Sequence, residues 1–187
     1  MVKKKIAVLI SGKGSNLKSL VKYSKKKKCS FKIELVISNN PDALGLIYAK
    51  KIKLNNFFVE FKNNKIFENK VHKLLKEFNI EIICLAGFMK ILSGNFIKKF
   101  SKPILNIHPS LLPKYKGLNT HFRAIKNKDK YSGATIHKVS QKLDSGKIIL
   151  QKKVKISKNE TKDSLAKKIL IQEHKLYPKA ILKVFNL

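Results

Sequence analysis

Residues 6–17 read Ile-Ala-Val-Leu-Ile-Ser-Gly-Lys-Gly-Ser-Asn-Leu. The uninterrupted apolar run, Ile6 to Ser11, is what a strand covered on both faces requires. It stops at Gly12 and Gly14. Helical spacing then runs from Ser15 to about Lys25, with Leu17, Leu20 and Val21 on one side. A strand that hands over to a helix through two glycines is the opening unit of a parallel α/β sheet, and ligands bind where such loops leave the strands.

The alternation continues. Phe31–Ser38 predicts a second strand, and Asp42 a cap for a helix to about Ile52. Phe57–Phe61 predicts a short third strand. Asn64–Phe78 predicts an amphipathic helix on Ile66, Phe67, Val71, Leu74 and Leu75, and Ile80–Ala86 a buried strand. A helix near Ser93–Phe100, a strand at Ile104–Ile107 and a proline-rich loop from Pro109 to Asn119 follow. Then come a short helix (Thr120–Asn127), two strands (Gly133–Val139, Lys147–Ile156) and a helix from Thr161 to Val184, interrupted near Pro178. The order implies an α/β fold, Rossmann-like, with a mostly parallel twisted sheet and helices on both faces. Neither a repeat nor a Pro/Gly/Ser linker divides the chain, so one domain over residues 1–187 is expected.

The chain has 42 Lys and Arg against 11 Asp and Glu, a formal net charge of +31. That balance suggests nucleic acid, but Arg123 is the only arginine, and the planar Arg fork is what reads phosphate and guanine. The lysines are spread along the whole chain. We read the charge as compositional and expect no specific nucleic-acid partner. The basic start Met-Val-Lys-Lys-Lys precedes an apolar run of only about five residues, too short for a leader, so no membrane association is expected and the cytoplasm is the expected location. Cys29 and Cys84 have no metal or redox spacing. Cys84 lies in an apolar run and is expected to be buried; Cys29 is expected to be a surface or loop thiol. No His/Cys/Asp/Glu pattern suggests a metal site, and none is expected.

Three segments can carry chemistry. Ser11 to Leu17 is not a Walker loop, and Leu17 stands where a dinucleotide fingerprint needs its third glycine. Two readings fit: a loop that cradles an anion against a helix N-terminus, and a tight turn with a helix cap. Asn106 and His108 end a strand, and alternation puts them on one face. An amide donor beside an imidazole can stabilise a tetrahedral oxyanion and move a proton, although a histidine at a strand end is often structural. Asp144, in Leu-Asp-Ser-Gly, can orient His108 or simply make a turn. No nucleophilic Cys or Ser accompanies them, which favours direct transfer over a covalent intermediate. His72 is expected at the surface and His137 packed or near the site, while His121 and His174 are placed to touch ligand.

Together these segments resemble the phosphoribosylglycinamide formyltransferase family. The carriers are Ser11–Leu17, Leu85–Leu92, Leu105–Tyr115, Gly117 with Thr120-His121, Leu143–Gly146, and Gln172-Glu173-His174 with Tyr177-Pro178. The resemblance implies the formyltransferase fold, with an N-terminal half binding phosphate and nucleotide and a C-terminal half completing the folate site. It implies 10-formyltetrahydrofolate as co-substrate, glycinamide ribonucleotide as acceptor, and a monomer or homodimer. By resemblance Asn106, His108 and Asp144 are catalytic, and Gly14, Ser15 and Asn16 hold the substrate phosphate. Pro109, Leu170 and Glu173 contact the ribonucleotide. Asn64, Met89, Lys90, Ile91, Leu92, Ser140, Gln141, Lys142 and Leu143 line the folate pocket, largely through backbone groups. The chain departs from the family at Lys90 (usually Arg), Lys116 (usually Pro), Asn119 (usually His) and Leu170 (usually basic).

Methionyl-tRNA formyltransferase resembles the chain around Asn106–Pro113, but it lacks the phosphate loop and carries a further C-terminal domain. Formyltetrahydrofolate deformylase shares the trio but carries an N-terminal regulatory domain. Neither extension is expected here. Outside this class stand a lysine-rich nucleic-acid module and an inactive scaffold that keeps only the fold.

Overall fold

The computed structural model describes residues 2–186. Its elements are β1 (Lys4–Ile10), α1 (Ser15–Ser24), β2 (Phe31–Ser38), α2 (Leu44–Lys51), β3 (Asn55–Phe58), α3 (Asn64–Glu77), β4 (Ile82–Leu85), α4 (Gly94–Phe100), β5 (Ile104–His108), α5 (Thr120–Lys126), β6 (Tyr131–Lys138), β7 (Ile148–Lys155) and α6 (Lys162–Val184). The strands form a sheet in the order β3-β2-β1-β4-β5-β6-β7. The expected α/β class with a mostly parallel sheet is what the chain adopts. Two compact units divide between Leu105 and Asn106.

In the first unit β1 pairs in parallel with β2 and with β4, and β2 with β3. Ile6 to Ile10 are fully buried, as are Ile82, Ile83 and Cys84. Covering both faces is why these strands read as continuous apolar runs. Each such large side chain contributes roughly 1.5–3 kcal/mol relative to exposure. The chain winds from β1 through β2 to β3 on one side and resumes at β4 on the other. The C-terminal ends of β1 and β4 therefore form the topological switch point, from which residues 11–14 and 86–93 depart. Asn63 caps α3 by accepting from Ile66 N at 2.9 Å, and Ser93 caps α4 by accepting from Phe96 N at 3.1 Å.

In the second unit β6 and β7 are antiparallel. Ala124, Ala134, Leu165 and Ile169 form its buried centre, ringed by Tyr115, Ile125, Val154, Ile156 and Leu176. Gly133 is required there, because a Cβ would lie 2.0 Å from the Lys152 carbonyl. Thr161 and Ser164 form a reciprocal cap at the start of α6. β7, the last strand in the order, exposes Lys152, Lys153 and Lys155, and Lys153 Nζ lies 4.8 Å from the Tyr131 ring centroid.

Several expectations are corrected. Pro178 does not interrupt α6, which runs unbroken through it. An internal proline costs about 3 kcal/mol, but Tyr177, Pro178, Ala180 and Ile181 are all buried, and their packing offsets that cost. β3 lies at Asn55–Phe58 rather than 57–61, because pairing of Leu35–Ser38 with these residues outweighs the poor strand propensity of two asparagines. Asp42 does not cap α2; its N–H is held by Asn40 Oδ1 at 3.0 Å, and Ala43 takes the cap position. Cys29 lies in the loop before β2, as expected, but is buried rather than at the surface, its thiol directed at the Phe31 carbonyl. His72 is half-buried, edge-on to Phe96 at 6.5 Å.

Candidate active site

The second unit holds the trio. β5 carries Asn106 and His108 to its C-terminal end, and Asp144 sits in the turn between β6 and β7 at φ 45°, a left-handed conformation that short polar side chains tolerate. Asp144 is buried and its two oxygens are divided. Oδ2 lies 3.4 Å from His108 Nδ1 and accepts the Gly117 N–H at 2.9 Å. Oδ1 lies 3.4 Å from Asn106 Nδ2 and 3.5 Å from His137 Nε2. The three predicted side chains are thus brought together, with His137 as a fourth member. Burial alone would raise the Asp144 pKa. The Gly117 N–H and the charge on His108 outweigh it and hold the carboxyl below its usual range.

The loop after β5 latches onto the trio through its backbone. His108 Nε2 lies 2.8 Å from the Tyr115 carbonyl, to which it donates. Tyr115 and Gly117 both have positive φ, 56° and 74°, which turns one carbonyl and one N–H toward these side chains. Arg123 donates to the Lys116 carbonyl at 2.7 Å, Lys116 Nζ reaches Ser145 Oγ at 2.6 Å, and the Tyr115 hydroxyl donates to Asp129 at 2.8 Å. Sequence reasoning missed the Tyr115 carbonyl and the Gly117 N–H. Tyr115 and Gly117 were part of the recognised motifs, but backbone roles leave no mark on side-chain identity. Asn119 precedes α5 at φ 58°, an exposed left-handed position that suits asparagine.

Around this centre, Ser140 is half-buried, whereas Gln141, Lys142 and Leu143 are exposed. Pro109 and Leu170 are half-buried and Glu173 is buried. His121 has its pKa lowered by burial first and by His108 second, and His174 by burial.

In the first unit, Gly14 precedes α1 at φ 69°, and a Cβ on it would lie 2.5 Å from Gly45 Cα. Gly45 N also donates to the Gly12 carbonyl at 3.0 Å, so the glycine loop is pinned by backbone against backbone. The start of α1 has neither an acidic residue nor a side-chain cap, which leaves its positive end fit for an anion. Asn16 is buried at this end and Ser15 half-buried.

The segment 86–93 is held at both ends within the same unit. Ser11 Oγ donates to Asn39 Oδ1 at 2.6 Å and accepts the Met89 N–H at 2.8 Å. The buried Glu68 carboxylate accepts from Ser93 N and Ser93 Oγ, both at 2.6 Å. Between the pins Met89 and Ile91 stand 63% and 62% exposed, Leu92 is buried, and Lys90 Nζ lies 4.6 Å from the Phe61 ring centroid. Large apolar side chains held exposed on a fixed loop suit a flat aromatic ligand. Asn64, the first residue of α3, is exposed.

Among the described residues no cluster of His, Cys, Asp and Glu could hold a metal, and no helix is long and apolar enough to cross a membrane.

A family profile described as formyl transferase matches residues 4–181. Phosphoribosylglycinamide formyltransferase of Haemophilus influenzae is 41% identical over 95% of this chain and 85% of that protein. The trifunctional purine biosynthetic protein adenosine-3 of Homo sapiens is 40% identical over 96% of this chain, which spans only 18% of that protein's length. The crystal structure of phosphoribosylglycinamide formyltransferase from Anaplasma phagocytophilum superposes with a TM-score of 0.92 at 42% identity, covering 97% of this chain and 87% of that one. A family match along nearly the whole chain, with relatives and a solved structure that agree in sequence and fold, leaves one assignment: the chain belongs to the formyl transferase family, among the phosphoribosylglycinamide formyltransferases.

Proposed function

We propose that this protein transfers the formyl group of 10-formyltetrahydrofolate to the amine of N1-(5-phospho-D-ribosyl)glycinamide, giving formylglycinamide ribonucleotide and tetrahydrofolate in de novo purine synthesis. The observation that carries this reading is Asp144, one buried carboxylate joined to both His108 and Asn106. The amine nitrogen attacks the formyl carbon, a tetrahedral centre forms, and the bond from that carbon to N10 of the folate breaks. One proton passes from the amine to N10. Asn106 and His108 donate hydrogen bonds to the developing oxyanion, and Asp144 supports the positive charge on His108. His108 exchanges its bond to the neutral Tyr115 carbonyl for a charge-assisted one, which is the stronger of the two.

The helix start at Gly14, Ser15 and Asn16 takes the substrate phosphate, supported by its uncapped positive end. Pro109, Glu173 and the neighbourhood of Leu170 meet the ribonucleotide. Met89 to Leu92 and Ser140 to Leu143, with Asn64 nearby, take the folate. On this reading residues 1–187 work as a single formyltransferase domain.

The test is an absorbance assay for folate product with glycinamide ribonucleotide present and absent. Turnover that requires the ribonucleotide is expected. Equal turnover without it would mean hydrolysis and overturn the reading.

A further inference from the structure

We propose that His137 is a positioning residue for the transfer: it fixes the Asn106 side-chain amide through a hydrogen bond that its Nε2 accepts. The inference rests on the formyltransferase reading for its catalytic meaning, but the bond itself does not.

His137 lies one residue from the end of β6. Its pairing with β7 shifts register between Ile136 and His137, an irregularity of the kind that re-aims a side chain. The ring is buried and both its nitrogens face protein groups, Nδ1 the Lys138 carbonyl and Nε2 the Asn106 amide, so it acts through a neighbour. Its Nδ1 lies 3.1 Å from the Lys138 carbonyl. A carbonyl only accepts, so Nδ1 carries the hydrogen, and in the neutral ring Nε2 is left with a lone pair. Two polar atoms approach that lone pair. Asn106 Nδ2 lies at 3.1 Å, a good acceptor distance, and Asp144 Oδ1 at 3.5 Å, which is long and offers no hydrogen when ionised.

The Asn106 amide therefore turns its nitrogen, not its oxygen, toward His137 and Asp144. One hydrogen is anchored on His137. The other faces Asp144 Oδ1 at 3.4 Å, weakly held, and is the one able to shift to the formyl oxygen. Without His137 only the longer bond to Asp144 Oδ1 distinguishes the two ends of the amide, and Asn106 more readily presents its carbonyl to an oxyanion it should stabilise.

The test has two arms. In 15N-histidine-labelled full-length protein, the His137 signals, assigned by their loss in H137Q, are expected to show the Nδ1–H tautomer. The Nε2–H tautomer overturns the proposal. In kinetics, H137F is expected to lower kcat roughly 10–100-fold, the usual range for a supporting partner, with both KM values within about threefold. H137Q, whose side-chain oxygen can accept the same hydrogen, should recover most of the rate. N106A/H137F should be no slower than N106A alone. Additive losses would mean that His137 does not act through Asn106. If H137F does not fold, H137Q against H137N decides, since only Gln reaches the Nε2 position; equal rates overturn the proposal. A wild-type protein that makes no formylated product would sink the functional reading, while the tautomer still judges the bond.

Discussion

The Gly117 N–H stands 2.9 Å from Asp144 Oδ2, the same oxygen that lies 3.4 Å from His108 Nδ1. A loop backbone and the His108 imidazole thus share one carboxylate oxygen, and the loop's conformation is tied to the carboxylate beside that histidine. Gly117 sits at φ 74° with open space where a Cβ would go, the nearest atom being Leu143 Cδ2 at 4.0 Å. Gly117→Ala should therefore cost only the left-handed penalty, about 1–2 kcal/mol. Relief of that strain moves the N–H off Asp144, so kcat should fall as well. Urea unfolding and steady-state rates check both parts. An unchanged kcat would mean the N–H is dispensable.

Replacing any of the trio should hit the chemical step. Asn106→Ala, His108→Ala and Asp144→Ala should each lower kcat by roughly 10²–10³, the cost of losing a preorganised oxyanion donor or its support, with circular dichroism unchanged. Turnover near wild type in all three would remove the mechanism.

Gly14→Ala should be worse for stability than Gly117→Ala. It incurs the same left-handed penalty, and its Cβ would also lie 2.5 Å from the Gly45 backbone, which cannot yield without moving the glycine loop. A larger drop in denaturant midpoint and a KM for the phosphorylated substrate raised at least about tenfold are expected. A midpoint equal to that of Gly117→Ala would contradict the close packing.

Glu68→Gln tests the pin on segment 86–93. The carboxylate accepts twice from Ser93, whereas a carboxamide offers one oxygen, so one of the two Ser93 donors loses its acceptor. A loss of about 1–3 kcal/mol is expected, with melting falling about 2–4 °C per kcal/mol. The KM for the folate should rise more than that for the ribonucleotide. An equal rise in both would detach this loop from folate binding.

His121 has a lowered pKa in the folded state, from burial and from His108. Unfolding lets it take up a proton at its ordinary value, about 6.5. Its stabilising contribution is complete above that value and is lost as pH falls toward the folded pKa, so stability rises with pH across that window. Asp144 has the depressed pKa of a carboxylate, so its contribution stays intact until pH falls below about 3.9. Between pH 7.5 and 5.5 the urea midpoint should therefore drop less in His121→Gln than in the wild type. Identical slopes would show that His121 carries none of the dependence.

The elements built on burial were legible. Ile6–Ile10 and Ile82–Leu85 are apolar because both faces are covered, and periodicity alone places α1 and α3. Positions where one local preference met another were not. Pro178 says stop, yet its buried neighbours carry the helix through. Asp42 suits a cap, yet Asn40 captures its N–H. Asn55 and Asn56 disfavour a strand, yet β2 pairs with them. At the site, alternation put Asn106 and His108 together, and the scarcity of acidic residues singled out Asp144. His137 was placed only as packed or nearby, because nothing in a sequence says which nitrogen of a ring will be aimed. The Tyr115 carbonyl and Gly117 N–H are peptide groups, which every residue has, and only the backbone path reveals them.

β7 has a further consequence. A terminal strand offers a row of hydrogen-bonding groups on which a foreign strand can grow, the seed of amyloid-like stacking. Here that rim bears Lys152, Lys153 and Lys155. Like charges would be brought face to face by any second copy laid alongside, so the composition that resembles a nucleic-acid binder serves at this rim as protection against fibre growth.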